Sequence, residues 1–306
     1  MHFFMGAIVA TISISLSCNA VAANCDLVEQ FSHRNKIGVD RNKKPVFRQV
    51  PIYGNNSELF FTGDMAINTD GAPNSYHPDD PWGDRGNAIN TICNGANAIM
   101  PDGSKVDYSD CRALITAFND AKASGWENKR RARMDFFAIA HHGYTPCLIQ
   151  SGEYKGNFVS MTKLPADSSK DDCDQTKWLD ALSIPFIIVP KKSGFIEAGV
   201  RQGDLAVLYN PRNKALSYAI VGDEGPQWGL AEGSVALGKT LNERSDNPRS
   251  RRETYSFVAN NIKVMIFPKS KMSEPFTKAT IDSAGKAVFE KWGGKDRFDK
   301  CVLDLH

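Results

Sequence analysis

The stretch from Ser217 to Leu237 constrains the fold more than any other part of the sequence. It begins with an apolar run, Tyr218 to Val221, that suits a buried β-strand. Gly222 breaks the run, Asp223 follows at once, and a Gly-Pro turn comes next. Glu232 lies nine positions after Asp223 (232 − 223 = 9). We therefore expect a strand whose following loop folds back and turns both carboxylates into one cleft.

Two carboxylates across a cleft are the usual catalytic groups of glycoside hydrolysis. One acts as the general acid and the other as the base or nucleophile. The alternative is ordinary turn chemistry, because Asp side chains often bond to their own backbone in turns. Glu224 adjoins Asp223, and neighbours along an extended chain point opposite ways. At most one of these two side chains can therefore face the cleft.

The same stretch resembles the signature of the glycoside hydrolase family 75 chitosanases, in which a Gly-Asp-x-Gly-Pro segment is followed by Glu-Gly-Ser. Further blocks that resemble this family occur in the same order, so the resemblance covers roughly residues 58–270. These blocks are Met65–Asp80, Gly156–Leu164, Ser183–Pro190, Gly203–Asn210 and Val264–Pro268.

The resemblance implies an inverting endo-hydrolase that cuts β-1,4-linked glucosamine chains and needs no cofactor. It implies that Asp223 and Glu232 are the two essential carboxylates. We assign Glu232 as the general acid and Asp223 as the general base for the attacking water, and the reverse assignment stays open. The resemblance also implies a β-rich α+β fold: a small six-stranded, double-psi-like β-barrel core with added helices and long loops. Inversion requires carboxyl groups roughly 6.5–9.5 Å apart.

Four further residues are candidates for substrate binding: Asp70, Tyr76, His77 and Trp228. The first three lie in an acidic, proline-rich loop over residues 69–86, which is equally consistent with an ordered turn that binds nothing. A His before a Pro, as at His77, is more often structural than catalytic. Trp228 can raise the pKa of Glu232 if it shields that carboxyl from water.

Residues 1–23 are typical of a secretory signal peptide, with an apolar stretch from Phe3 to Leu16 and a cleavage site at Ala20-Val-Ala22-Ala23. We therefore expect export to the extracellular space or periplasm. The remaining chain divides into an N-terminal extension (24–57), a catalytic domain (58–270), and a C-terminal helix and tail packed on that domain (271–306).

Six cysteines remain after the predicted cleavage, an even number that suggests up to three disulfides in an exported protein. Sequence alone does not choose among the possible pairings. Cys93 with Cys111 and Cys147 with Cys173 are closest along the chain, and Cys25 and Cys301 can tie the two ends. No C-x-x-C pair is present, so we predict no metal site.

Composition and charge limit the classes of partner that the protein is expected to bind. With 42% hydrophobic and 24% charged residues, the chain can build a globular core, and its net charge is only +2. We expect a monomer that binds a polysaccharide, not nucleic acid, and no membrane once the signal peptide is removed. Chitosan is a polycation, so its enzymes should carry acidic clefts. The acidic loops at 70–80 and 223–232 can supply one locally.

Two alternatives to a chitosanase stay open. The first is a hydrolase of another amino-sugar polymer, such as partly acetylated chitin or the glycan of peptidoglycan. The second is a non-catalytic barrel that binds a cell wall or polysaccharide.

Periodicity and turn signals also predict individual elements. The predicted strands cover residues 57–62, 134–140, 157–161, 186–189, 205–209 and 262–267. The predicted helices cover residues 108–125, 234–241 and 277–292.

Overall fold

The computed structural model describes residues 25–42, 44–55, 57–128 and 130–305. The predicted signal peptide at residues 1–23 lies outside these ranges. The strands are β1 (Val28–Val39), β2 (Pro45–Gly54), β3 (Leu59–Asn68), β4 (Ala96–Ile99), β5 (Lys105–Val106), β6 (Arg133–Phe136), β7 (His141–His142), β8 (Thr145–Pro146), β9 (Phe186–Pro190), β10 (Leu205–Asn210), β11 (Ala215–Gly225), β12 (Glu232–Ser234) and β13 (Ala259–Phe267). The helices are α1 (Cys111–Ala123), α2 (Gly194–Glu197), α3 (Val235–Leu241), α4 (Arg251–Thr254), α5 (Lys278–Trp292) and α6 (Gly294–Asp304).

Six of the strands form a closed barrel in the order β3–β12–β9–β11–β10–β13, and β13 pairs back onto β3. The β3–β12 and β9–β11 pairs are parallel, whereas the other neighbours run antiparallel. The protein is thus a β-rich α+β chain with a closed six-stranded barrel, helices and long loops. This confirms the predicted fold class.

Alternate residues of each barrel strand fill the barrel interior, as the period of two in a β-strand requires. The intervening residues face outward and are covered by helices and loops. The interior residues include Phe61, Met65, Ile187, Val189, Ala206, Leu208, Ala219, Val221, Val264 and Ile266. The predicted strands at 186–189, 205–209 and 262–267 correspond to β9, β10 and β13.

The N-terminal extension is a long β-hairpin. β1 and β2 pair antiparallel, and β2 continues onto β3 through Tyr53 and Gly54. Most side chains of β1 are exposed. The apolar–polar alternation that reveals a strand in a sequence is therefore weak here, which is why this hairpin escaped prediction.

Residues 70–180 form a loop-rich region beside the barrel. Its core packs α1 against β4 and β6, with Leu114, Phe118 and Phe136 among the buried residues. The predicted helix at 108–125 is confirmed as α1, whose N-terminus is capped by the Asp110 side chain.

The predicted strand at 157–161 is wrong, because that segment makes only isolated bridges. Its backbone N–H groups donate to three separate segments instead of one ladder. Phe158 bonds to the carbonyl of Tyr76, Val159 to that of Cys147, and Met161 to that of Ala138. The strand predicted at 134–140 is shorter in the structure, where it corresponds to β6 (Arg133–Phe136).

The C-terminal helices α5 and α6 cover the outer face of β10 and β13 through Phe289 and Phe298. The helix predicted at 277–292 is confirmed as α5, with Thr277 as its cap. Disulfides join Cys25 to Cys301, Cys93 to Cys111, and Cys147 to Cys173. Among the helices of the described residues, none has the length and apolar character needed to cross a membrane.

A β-bulge at Gly222 decides where Asp223 points. Val221 pairs with Ile187 inside the barrel, and the next register pair is Asp223 with Ile188, so Gly222 is the extra residue. Without the bulge, strict alternation would turn Asp223 into the apolar interior. The bulge instead places Asp223 on the outer face, beside the outward-facing Ile188.

Replacing Gly222 by Ala tests this bulge. A Cβ at this position would lie 2.7 Å from Phe186 Cβ and 2.9 Å from Leu179 Cδ1, both in the packed core. We expect Gly222→Ala to lower the free energy of unfolding by about 1–3 kcal/mol, the usual cost of overpacking. Urea unfolding followed by tryptophan fluorescence measures it. An unchanged midpoint would contradict the register described here.

Candidate active site

Asp223 and Glu232 lie at the same level on either side of one strand. Asp223 of β11 pairs with Ile188 of β9, and Glu232 begins β12 opposite the same Ile188. Residues directly opposite one another in a sheet point to the same face. Both carboxylates therefore project from the outer face of the barrel.

The loop between the two acids approaches Glu232 closely. A Cβ at Gly229 would lie 2.9 Å from Glu232 Oε1, and a Cβ at Gly225 would lie 3.7 Å from Oε2. Only a residue without a side chain allows the backbone to pass so near the carboxylate at Gly229. The two glycines thus let the loop fold over Glu232.

Asp70 adds a third carboxylate to the same place. Asp70 follows β3, and Ala66 of that strand pairs with Glu232. The Asp70 backbone N–H donates to Asn68 Oδ1 at 2.7 Å. Tyr76 is 1% exposed, and its hydroxyl donates to Asp70 Oδ1 at 2.5 Å.

Two amide side chains in the loop-rich region support this tyrosine. Asn90 Nδ2 donates to Tyr76 Oη at 3.0 Å, and Asn94 Nδ2 donates to Asn90 Oδ1 at 2.7 Å. The Tyr76–Asp70 contact is thus held in place by other side chains of the loop-rich region.

Burial raises the pKa of all three carboxyl groups. The pKa of Asp223 rises to about 7, mainly because burial penalises its charge, although Oδ1 accepts N–H bonds from Glu224 and Lys163 that favour the anion. Burial also raises the pKa of Glu232. Apolar residues such as Leu230 line a small cavity with it.

The pKa of Asp70 is raised well above its usual range, first by burial and then by the charge of Asp223, with a smaller contribution from Glu232. The hydrogen bond from Tyr76 opposes this rise. Like charges this close cannot all ionise at neutral pH, so the cluster holds at least one proton. A site that keeps one carboxyl protonated beside an ionised neighbour is suited to general acid–base chemistry.

The structure separates the other predicted residues from this cluster. His77 Nδ1 accepts the N–H of Asp79, which fits its structural interpretation. Trp228 is 47% exposed and contacts Phe47 on the far side of its loop. The expected shielding of Glu232 by this indole is therefore not seen, and the loop backbone at Gly225 and Gly229 passes close to the carboxylate instead.

Within the part of the chain that the structure describes, one group of His and Cys side chains has ligand atoms close enough to share a metal: His142, Cys147 and Cys173. The two cysteines are joined in a disulfide, and Cys173 Sγ lies 3.2 Å from His142 Nε2. Disulfide sulfurs are not thiolates, the form in which Cys binds metal. This group therefore offers one ordinary ligand, His142.

Sequence reasoning missed the two amides, Asn68 and Asn90, that orient the cluster. Nothing in the sequence marked Asn68 as part of the site. It immediately precedes the turn that carries Asp70, and both residues are far from Glu232 along the chain. No spacing rule links these positions, and only the parallel pairing of β3 with β12 brings them together.

No protein-family model matches this chain, and a comparison with curated proteins finds no match. The case for a function therefore rests on the residues and their geometry.

The pH dependence of stability tests the raised pKa of Asp223. Folded Asp223 keeps its proton up to about pH 7, whereas an unfolded Asp loses it near pH 4. The native state therefore binds more protons between these values, and stability falls as pH rises from about 4 to 7. One such group contributes at most about 1.4 kcal/mol per pH unit, and Asp70 and Glu232 act in the same direction.

We expect Asp223→Asn to flatten this dependence and to be more stable than the wild type at pH 8. Asp84→Asn, a change at an exposed aspartate outside the cluster, should keep the wild-type slope. Urea unfolding at a series of pH values measures both. A wild-type slope in Asp223→Asn would show that this carboxyl does not hold its proton.

Proposed function

We propose that the protein is an endo-acting, inverting glycoside hydrolase that cleaves β-1,4-linked glucosamine chains such as chitosan. The observation that carries this proposal is the placement of Asp223 and Glu232 opposite one Ile188 on a single face of the sheet. The resemblance of the same segment to the family 75 chitosanases supports the choice of reaction.

The separation of the two strands favours inversion. β11 and β12 are both neighbours of β9, so their backbones lie two strand spacings apart, roughly 9–10 Å. The two side chains leave the same face of the sheet at this backbone separation, and we propose that a water molecule fits between their carboxyl groups. Retaining enzymes need roughly 5–5.5 Å and inverting ones roughly 6.5–9.5 Å.

In this mechanism Glu232 donates a proton to the leaving glycosidic oxygen, because burial raises its pKa and keeps the proton available. Asp223 takes a proton from the attacking water. A base works best when its pKa lies near the working pH, and the pKa of Asp223 is about 7. Asp70 lies near both, since their charges raise its pKa, and we propose that it contacts the sugar.

The three carboxylates also support a cationic substrate. Although the chain carries a net charge of +2, the field in a cleft is set by the groups that line it. Asp70, Asp223 and Glu232 lie close together. The members of this cluster that are ionised carry negative charge, and glucosamine units carry ammonium groups. We infer that the acidic cleft attracts the polymer locally.

A purely binding barrel is less well supported, since a flat row of exposed aromatic side chains would be its expected surface. Trp126 packs in the core with α1, and Trp292 packs against Phe289. These two tryptophans are therefore not available to such a row.

The predicted signal peptide and the three disulfides fit an exported protein, because disulfides persist in oxidising compartments. We propose that the enzyme acts outside the cytoplasm as a monomer on a polymer that cannot enter the cell.

Release of reducing ends from soluble chitosan tests the activity. We expect the wild type to release oligomers, and Glu232→Gln and Asp223→Asn each to lose at least ~100-fold in kcat, the contribution of a positioned acid or base. Glu224→Gln is the matched control, because this neighbour is exposed and bonds to Gln202. It should keep kcat within about twofold.

The two roles are separated by a substrate with a good leaving group, such as a dinitrophenyl glycoside of a glucosamine oligomer. Such a leaving group needs no proton, so Glu232→Gln should regain most of its activity while Asp223→Asn stays inactive. The reverse pattern would exchange the roles. No release by folded wild-type protein, or an equal loss in Glu224→Gln, would reject the proposed function.

A further inference from the structure

A second concave surface lies on the far side of the loop that joins Asp223 to Glu232. It encloses about 310 Å³, within the range of roughly 300–1,000 Å³ usual for ligand sites. Its lining residues come from β1, from the turn after β9 and from this loop: His33, Arg34, Lys192, Ser193, Gln227 and Trp228. We call this surface the basic groove.

The charge of the groove is positive. Arg34 and Lys192 line it, whereas no Asp or Glu does. Neither cation forms an ion pair with any residue in the described ranges. His33 is buried, and that burial lowers its pKa. The two fixed cations are thus available to a ligand.

Aromatic contacts hold the groove in shape. The Arg34 guanidinium lies 3.8 Å from the centre of the Phe47 ring, and the Trp228 indole meets the same ring edge-on at 5.9 Å. Arg34 is therefore oriented before a ligand arrives. An oriented guanidinium can bind a carboxylate or sulfate through two parallel N–H bonds, and the half-exposed indole offers a flat apolar face.

The groove and the carboxylates share one loop. Lys36 N–H donates to the Trp228 carbonyl at 2.9 Å, and His33 Nε2 lies 3.1 Å from the Gly229 carbonyl oxygen. The opposite side of Gly229 faces Glu232 Oε1. A ligand in the groove thus lies one loop thickness from the proposed general acid.

We propose that the basic groove binds an anionic sugar unit, carrying a carboxylate or sulfate group, of a glycan chain. Chitosan does not fit the groove, because its ammonium groups would face Arg34 and Lys192. A glycan is favoured over a nucleic acid because the groove is built on the loop that holds the glycosidase-like carboxylates. The choice of a glycan, and the consequence that a mixed glucosamine polymer with anionic units is a substrate, rest on the proposed function; the binding of an anion does not.

Binding is measured with the full chain carrying Glu232→Gln, so that no polymer is cut. The probes are polygalacturonate for the carboxylate and dextran sulfate for the sulfate, with neutral dextran as the control polymer, titrated by calorimetry at two salt concentrations. We expect binding to at least one anionic probe and none to dextran. Affinity should fall with salt, as for partly exposed charges.

Arg34→Glu with Lys192→Glu should weaken that binding at least about tenfold, equivalent to about 1.4 kcal/mol. The matched control is Arg252→Glu with Lys286→Glu, which makes the same change in net charge at two exposed sites elsewhere. It should keep Kd within about twofold. The variant with Arg34→Gln and Lys192→Gln should show an intermediate loss of affinity. It removes the two charges without reversing them, and so checks that the loss in the Arg34→Glu, Lys192→Glu variant is not caused by misfolding.

Equal losses in the groove and control variants would reject the groove, as would no binding to either anionic glycan. Tighter binding of single-stranded DNA than of either glycan, lost in the same groove variant, would reject the glycan assignment. Chitosan cleavage by the wild type is measured in parallel. Cleavage without anion binding rejects the groove alone, and anion binding without cleavage rejects the proposed hydrolase alone.

Discussion

The pairing of β13 with β3 is the constraint on which the rest of this structure depends. It joins positions two hundred residues apart, as in Lys263 opposite Thr62. Closure removes the free edges of the six strands and encloses a single apolar interior. It also fixes β3 between β13 and β12. The turn that carries Asp70 consequently lies beside the strand that begins with Glu232.

Sequence predicted those parts of the fold whose signals are local. α3 and α5 begin directly after Ser234 and Thr277, whose side chains cap them, and continue with a helical period. The β1–β2 hairpin gave no such signal, because most of β1 faces solvent. The segment at 157–161 has a strand-like composition, but its bonding partners are scattered over three segments.

The same distinction applies to the site. Asp223 and Glu232 were recognisable because they share one short loop, and Asp70 and Tyr76 as an acidic turn. What sequence did not contain is the geometry that unites them: the bulge at Gly222 and the parallel β3–β12 pairing. Nor did it reveal that Trp228 faces Phe47 and not Glu232. Contacts between distant segments decide each of these.

Barrel closure determines when the protein can complete its fold. β3 is made early and β13 late, so a chain that is still emerging contains Asp70, Asp223 and Glu232 but cannot yet close the barrel around them. Contacts of such long sequence separation also form slowly. The closed barrel that carries the carboxylate cluster therefore forms only after residue 267 is free to fold. The barrel around the acids is therefore completed at the end of folding, and not while the first strands are being synthesised.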